Sequence, residues 1–96
     1  MKFENKETKF TEGEKKLGYA DLALTCLNTI PQGGLSPLEM ADRLKVINPL
    51  RDMEIGKTHK LEEAHHETLK SCVNITKWKM VHEDIVAFTD YVNNMK

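Results

Sequence analysis

Three prolines, Pro31, Pro37 and Pro49, constrain the fold of this chain more than any other sequence feature. Pro31 ends whatever helix precedes it, because the residue before a proline is pushed out of the α region. Pro37 belongs to Ser36-Pro37-Leu38-Glu39, a capping box with proline at the first helical position. Leu35 before that cap and Met40 at the fourth helical position predict a hydrophobic staple. Pro49 cannot donate to the carbonyl of Lys45 and would clash with it, so an end or kink is expected near Asn48. Between these breaks only short helices fit.

The apolar spacing places four of them. Ala20, Ala23, Leu24, Leu27 and Ile30 predict a first helix over about 19–30, with Leu22 and Cys26 widening its stripe. Gln32-Gly33-Gly34 reads as a flexible turn. In the second helix Met40, Leu44 and Ile47, with Ala41 beside them, mark the inner face. Residues 51–60 carry Gly56 and mixed charges and read as an exposed connector. A third helix is expected over about 62–75, with His65, Leu69, Cys72, Val73 and Thr76 inward and Glu62 and Glu63 at its positive end. Lys77-Trp78-Lys79-Met80 is a short connection. The fourth helix is expected over about 82–94, its inner stripe being Val81, Ile85, Phe88, Val92 and Met95, with Val86 and Tyr91 broadening it.

Residues 1–16 differ. Their charges alternate in sign, and only Met1, Phe3 and Phe10 are apolar. A terminal segment of this kind is a frayed tail, or a short ribbon anchored by the two phenylalanines if a neighbour supports it. Strand alternation is otherwise confined to a residue or two around Leu61. The expected fold is therefore all-α: a small bundle of about four short helices with a charged N-terminal tail or short ribbon, residues 1–16, ahead of a single helical domain, residues 17–96.

Composition narrows the function. A chain of 96 residues buries about 65% of its surface on folding, enough for one core. Lys and Arg number 14 against 15 Asp and Glu, a balance unlike the basic excess of a dedicated nucleic-acid binder. No apolar run reaches membrane-spanning length, and the charged start lacks a secretory h-region. Cys26 and Cys72 form no Cys-x-x-Cys, so both are expected as buried, reduced thiols, and the expected location is cytoplasmic.

No constellation for catalysis or metal binding emerges. His59, His65, His66 and His82 lack dense ligand spacing, and His65 and Cys72 lie two helical turns apart. His82-Glu83-Asp84-Ile85-Val86 has valine where a zincin motif needs its second histidine. Gly33-Gly34 is too little for a phosphate loop. The reading is a non-enzyme without cofactor. The alternative is a small DNA-binding regulator using the helix-turn-helix-like segment 19–48, although Arg43 and Lys45 are the only cations of its second helix. The favoured reading is a protein-interaction module that also self-associates as a homodimer. Its expected partner-binding residues are Trp78 and Tyr91, with Phe3 and Phe10 as further anchors.

Two stretches carry a resemblance. One is Gly33-Gly34-Leu35-Ser36-Pro37-Leu38-Glu39-Met40 leading into Arg43-Leu44-Lys45-Val46-Ile47. The other runs from Leu61-Glu62-Glu63-Ala64 through Thr68-Leu69-Lys70, Val73, Trp78 and Val81 to Ile85-Val86-Ala87-Phe88 and Tyr91-Val92. Together, over residues 18–93, the chain resembles small helical accessory proteins encoded by tailed bacteriophages and prophages. The resemblance implies an accessory or assembly role in a host cytoplasm, through a phage or host protein, and assigns no functional residue.

Overall fold

The computed structural model describes residues 1–96. Its elements are β1 (Lys2–Glu4), β2 (Glu7–Glu12), β3 (Lys15–Gly18), α1 (Tyr19–Asn28), α2 (Pro37–Leu50), β4 (Thr58–Lys60), α3 (Glu63–Ile75) and α4 (Glu83–Asn93). Half of the chain is helical and about a sixth is strand. The fold is thus α+β, and the all-α expectation is corrected. No helix is long and apolar enough to cross a membrane.

The correction lies in the first 18 residues. The segment read as a tail or ribbon is three strands. β1 pairs antiparallel with β4, with Phe3 opposite His59, and β2 pairs antiparallel with β3 across a turn in which Gly13 adopts φ +64°. The partner of β1 lies inside the 51–60 connector, and a strand pair this distant in sequence leaves no local periodicity. Phe3 is completely buried and belongs to the same apolar core as the helices.

Asn5, between β1 and β2, holds this arrangement. Its Oδ1 accepts from the Ala20 N–H at 2.8 Å, satisfying one of the donors orphaned at the start of α1. Its Nδ2 donates to the Met53 carbonyl at 2.8 Å, and its backbone exchanges bonds with Gly56 and Lys57. The side chain is buried, and every polar group on it has a partner.

α1, α2 and α3 pack on one another, and α4 packs on α3 and α1. Ser36 and Glu39 form the capping box at the start of α2, Glu39 N–H to Ser36 Oγ at 3.2 Å and Ser36 N–H to Glu39 Oε1 at 3.3 Å. The helix passes Pro49 and ends at Leu50. A proline in the last turn removes only one intrahelical bond, so the chain keeps Leu50 in the core. The inner face of α2 is Arg43, Val46, Ile47 and Leu50, rotated from the expected one. Met40 and Leu44 are exposed. In α3 it is His66 that is buried, with Nε2 at 2.7 Å from the Val92 carbonyl of α4, and His65 lies at the margin. In α4, Ile85, Phe88 and Val92 face the core. Val81 precedes the cap residue His82 and is outside the helix.

Gly18 joins β3 to α1. A Cβ here would collide with Asn5 Oδ1 and stand 2.9 Å from the Lys6 carbonyl. Neither neighbour is free to move, since Asn5 is bonded on both sides and the Lys6 carbonyl accepts from Tyr19 N–H. We expect Gly18→Ala to lower stability by about 1–3 kcal/mol, the range for overpacking a tight site. Urea unfolding of the two chains, followed by circular dichroism, measures it.

Candidate docking surface

Arg43 sets the geometry of the surface between α1 and α2. Its Nη1 donates to the Leu27 carbonyl at 2.9 Å and to the Thr29 carbonyl at 2.6 Å. Both carbonyls lie at the end of α1, where intrahelical partners have run out. A guanidinium is suited to this task because it presents several donors and complements the negative end of the helix dipole. The side chain is buried, and taking Arg43 inward turns Met40 and Leu44 outward.

The result is an apolar groove of about 230 Å³ lined by Leu27, Ile30, Leu35, Met40, Leu44 and Ile47, with Asn28 and Arg43 at its polar edge. Ile30 beside it is 66% exposed and Leu38 on the first turn of α2 is 75% exposed. The α3–α4 connector runs from beside α1 to the β2–β3 hairpin, where His82 at its close stacks on Phe10. The Thr76 hydroxyl at its start lies within hydrogen-bonding reach of the Cys26 thiol, one helical turn before Ile30. Ile75 and Met80 are both more than half exposed, and Val81 is fully exposed. Of the nine exposed large apolar side chains, Ile30, Met40 and Leu44 line the groove and Leu38 sits on the first turn of α2.

The expected partner residues fall differently. Trp78 is half-buried against the core, in the connector between the exposed Ile75 and Met80. Tyr91 is used within the chain: its hydroxyl accepts from the Glu4 N–H at 2.9 Å, which covers the outer edge of β1. Its ring stands edge-on to Phe3 at 6.0 Å and beside Tyr19 at 5.2 Å. Phe3 is core, inaccessible to a partner in this fold. Phe10 is half-buried and stacks on His82 at 4.1 Å, beside the Lys9–Glu83 ion pair and the bond from Lys9 N–H to Asp84. That contact fastens the β2–β3 hairpin to the start of α4. The structure brings none of these four aromatics into the α1–α2 groove. Periodicity missed the groove because it counted Met40 and Leu44 as the inner face of α2 and did not place Arg43 on it. An arginine four residues before Ile47 and three before Val46, on their face, was the available signal.

A second cleft of about 500 Å³ lies between the hairpin, the start of α1 and the end of α2. Its wall mixes Lys15, Lys16 and Arg51 with Asp21, Asp52 and Glu54 over Leu24, Leu50, Met53 and Ile55. Asp52 there has φ +63°, a conformation common for Asp just past a helix end. No three His, Cys, Asp or Glu side chains come together as a metal-binding group. Cys26 and Cys72 are free thiols, both buried. Burial pushes both above the ordinary thiol range, partly opposed at Cys26 by the Thr76 hydroxyl and at Cys72 by Arg43. No protein-family model, curated protein or solved structure matches this chain.

Two measurements follow from this chemistry. Arg43→Met keeps most of the stem but removes both bonds to the end of α1, so we expect a loss of about 2–4 kcal/mol, from two bonds to a charged donor. A urea titration reads it. Stability should also fall as pH rises above 9. There the unfolded chain releases thiol protons that the folded chain retains, so the folded state binds more protons and each thiol costs up to about 1.4 kcal/mol per pH unit. Urea midpoints at pH 8 and pH 10 check this, and Cys26→Ala with Cys72→Ala should flatten the difference.

Proposed function

We propose that this chain is a non-enzymatic protein-interaction module that binds through the apolar α1–α2 groove. The observation that carries the reading is the outward placement of Ile30, Leu38, Met40 and Leu44 around a preformed groove. Scattered single apolar residues on a surface are ordinary, whereas clustered ones at a concave site are characteristic of docking surfaces. The resemblance to accessory proteins of tailed bacteriophages and prophages supports a phage setting, with a phage or host protein as partner.

The DNA-reading alternative for residues 19–48 loses its main donor. Arg43 is buried and bonded to α1, which leaves Lys45 as the one exposed cation within α2, against Glu39 and Asp42. Phosphate contacts need several cations, and their contribution falls steeply with salt.

The test is Leu38→Glu combined with Leu44→Glu. Both side chains are exposed, so the double variant should unfold at a urea concentration close to that of the original chain. Tagged forms of the two chains are compared for capture of proteins from phage-infected and uninfected lysates. Partners retained by the original and lost by the variant support the module reading. Equal capture by both overturns it.

A further inference from the structure

We infer that the outer edge of β4 takes up an extended acidic segment of a partner protein as a third strand, at a surface separate from the α1–α2 groove. The inference goes beyond the groove reading and does not rest on it.

Backbone accounting is the first reason. Met1 and Leu61 exchange hydrogen bonds at 3.2 and 2.7 Å, and Asn5 N–H donates to the Lys57 carbonyl at 2.9 Å. Phe3 opposite His59 is the pair between them. In an antiparallel ladder bonded pairs alternate with unbonded ones, so Lys2, Glu4, Thr58 and Lys60 turn their backbone groups outward. On β1 that outer side is closed. The Tyr91 hydroxyl accepts from the Glu4 N–H at 2.9 Å and donates to the Lys2 carbonyl at 3.4 Å. On β4 it is open. β1 is the only strand paired with β4, and Thr58 and Lys60 are exposed. Their two N–H groups and two carbonyls find no partner on that side. Such a row of donors and acceptors is the template on which an extended peptide adds to a sheet.

Charge selects the occupant. Phe3 points into the core, so Lys2, Glu4, Thr58 and Lys60 lie on the opposite, outer face. Lys2 stands directly opposite Lys60. Unbonded pairs bring side chains closest, and like charges facing each other there are unfavourable. Neither lysine makes an ion pair within the chain, and neither does Lys57 just before the strand. A carboxylate on the added strand, opposite Lys60 and on the same face, offsets this repulsion. A segment with an acidic residue at every second position puts all of them on that face.

The same lysines disfavour a second copy. Pairing β4 with β4 of another protomer would bring Lys57 and Lys60 of both copies onto one short ribbon. Lysine on a short edge strand is a common guard against such pairing. Towards an acidic segment the guard becomes an attraction.

A short blocked peptide alternating glutamate and valine is the probe. Titrated into the isotope-labelled chain, it should shift the Thr58 and Lys60 amide signals saturably and slow their exchange with solvent. Lys60→Glu should weaken binding by about tenfold, since a like charge replaces an opposite one. Thr58→Pro removes one edge donor and should also weaken it. Proline is tolerated on an edge strand where the lost N–H faced solvent, so circular dichroism of both variants should match the original. The peptide with lysine in place of glutamate should not bind, and one N-methylated at the amides facing β4 should bind about tenfold more weakly. Unmoved Thr58 and Lys60 signals overturn the inference. So does equal binding of the lysine or the N-methylated peptide, or affinity undiminished by Lys60→Glu. Signals at Thr58 and Lys60 that shift with chain concentration alone overturn it too, making a second copy the occupant. Shifts confined to the residues lining the α1–α2 groove overturn it while leaving the groove reading standing.

Discussion

Asn5 is the residue on which the rest of this structure depends. Its side chain bonds to the start of α1 and to the loop that leads into β4, and its backbone bonds to that same loop. One buried amide thus joins the N-terminal strands, the first helix and the connector after the second. An unpaired buried amide is costly, so the three segments stay together or come apart together. Gly18 is the complement of Asn5, because only a residue without a side chain lets β3 turn into α1 this close to the amide. Phe3 and Leu61 enter the core through the β1–β4 pair that the Asn5 contacts extend.

Arg43 plays a parallel part at the opposite end. By capping α1 from α2 it ties the two helices together and takes a position that a leucine would ordinarily occupy. The apolar residues of α2 then divide between two faces. Val46, Ile47 and Leu50 go inward, while Met40 and Leu44 open onto the groove. The docking surface is therefore a consequence of how one buried charge is satisfied. The same contact withdraws the arginine from any role in contacting nucleic acid.

Much of the helical layout was legible. The four helices lie where the apolar spacing put them, and the Ser36 cap is a local interaction between residues three apart, which a sequence displays directly. Faces were harder. His66 faces inward where His65 was expected, and Arg43 where Met40 and Leu44 were, because each buried polar side chain finds a carbonyl on another helix. Periodicity scores apolarity and has no term for a distant acceptor. The strands were least legible. β1 and β4 have three residues each and meet across more than fifty positions, and the alternating charges of the first 16 residues fit a solvated tail as well as a hairpin.

The aromatic residues divide the same way. Phe3, Phe10, Trp78 and Tyr91 are conspicuous in the sequence, but their burial depends on neighbours supplied by other elements. Phe3 is enclosed by the helices, Tyr91 closes the edge of β1, Phe10 stacks on His82, and Trp78 packs half-buried against the core from the α3–α4 connector. By itself the sequence determined the number, order and approximate limits of the helices, because prolines, caps and apolar spacing act within a few residues. The tertiary structure alone decided the strand pairing, the rotation of α2 and the place of the exposed apolar groove. Each of those rests on a hydrogen bond or a burial between residues far apart in the chain.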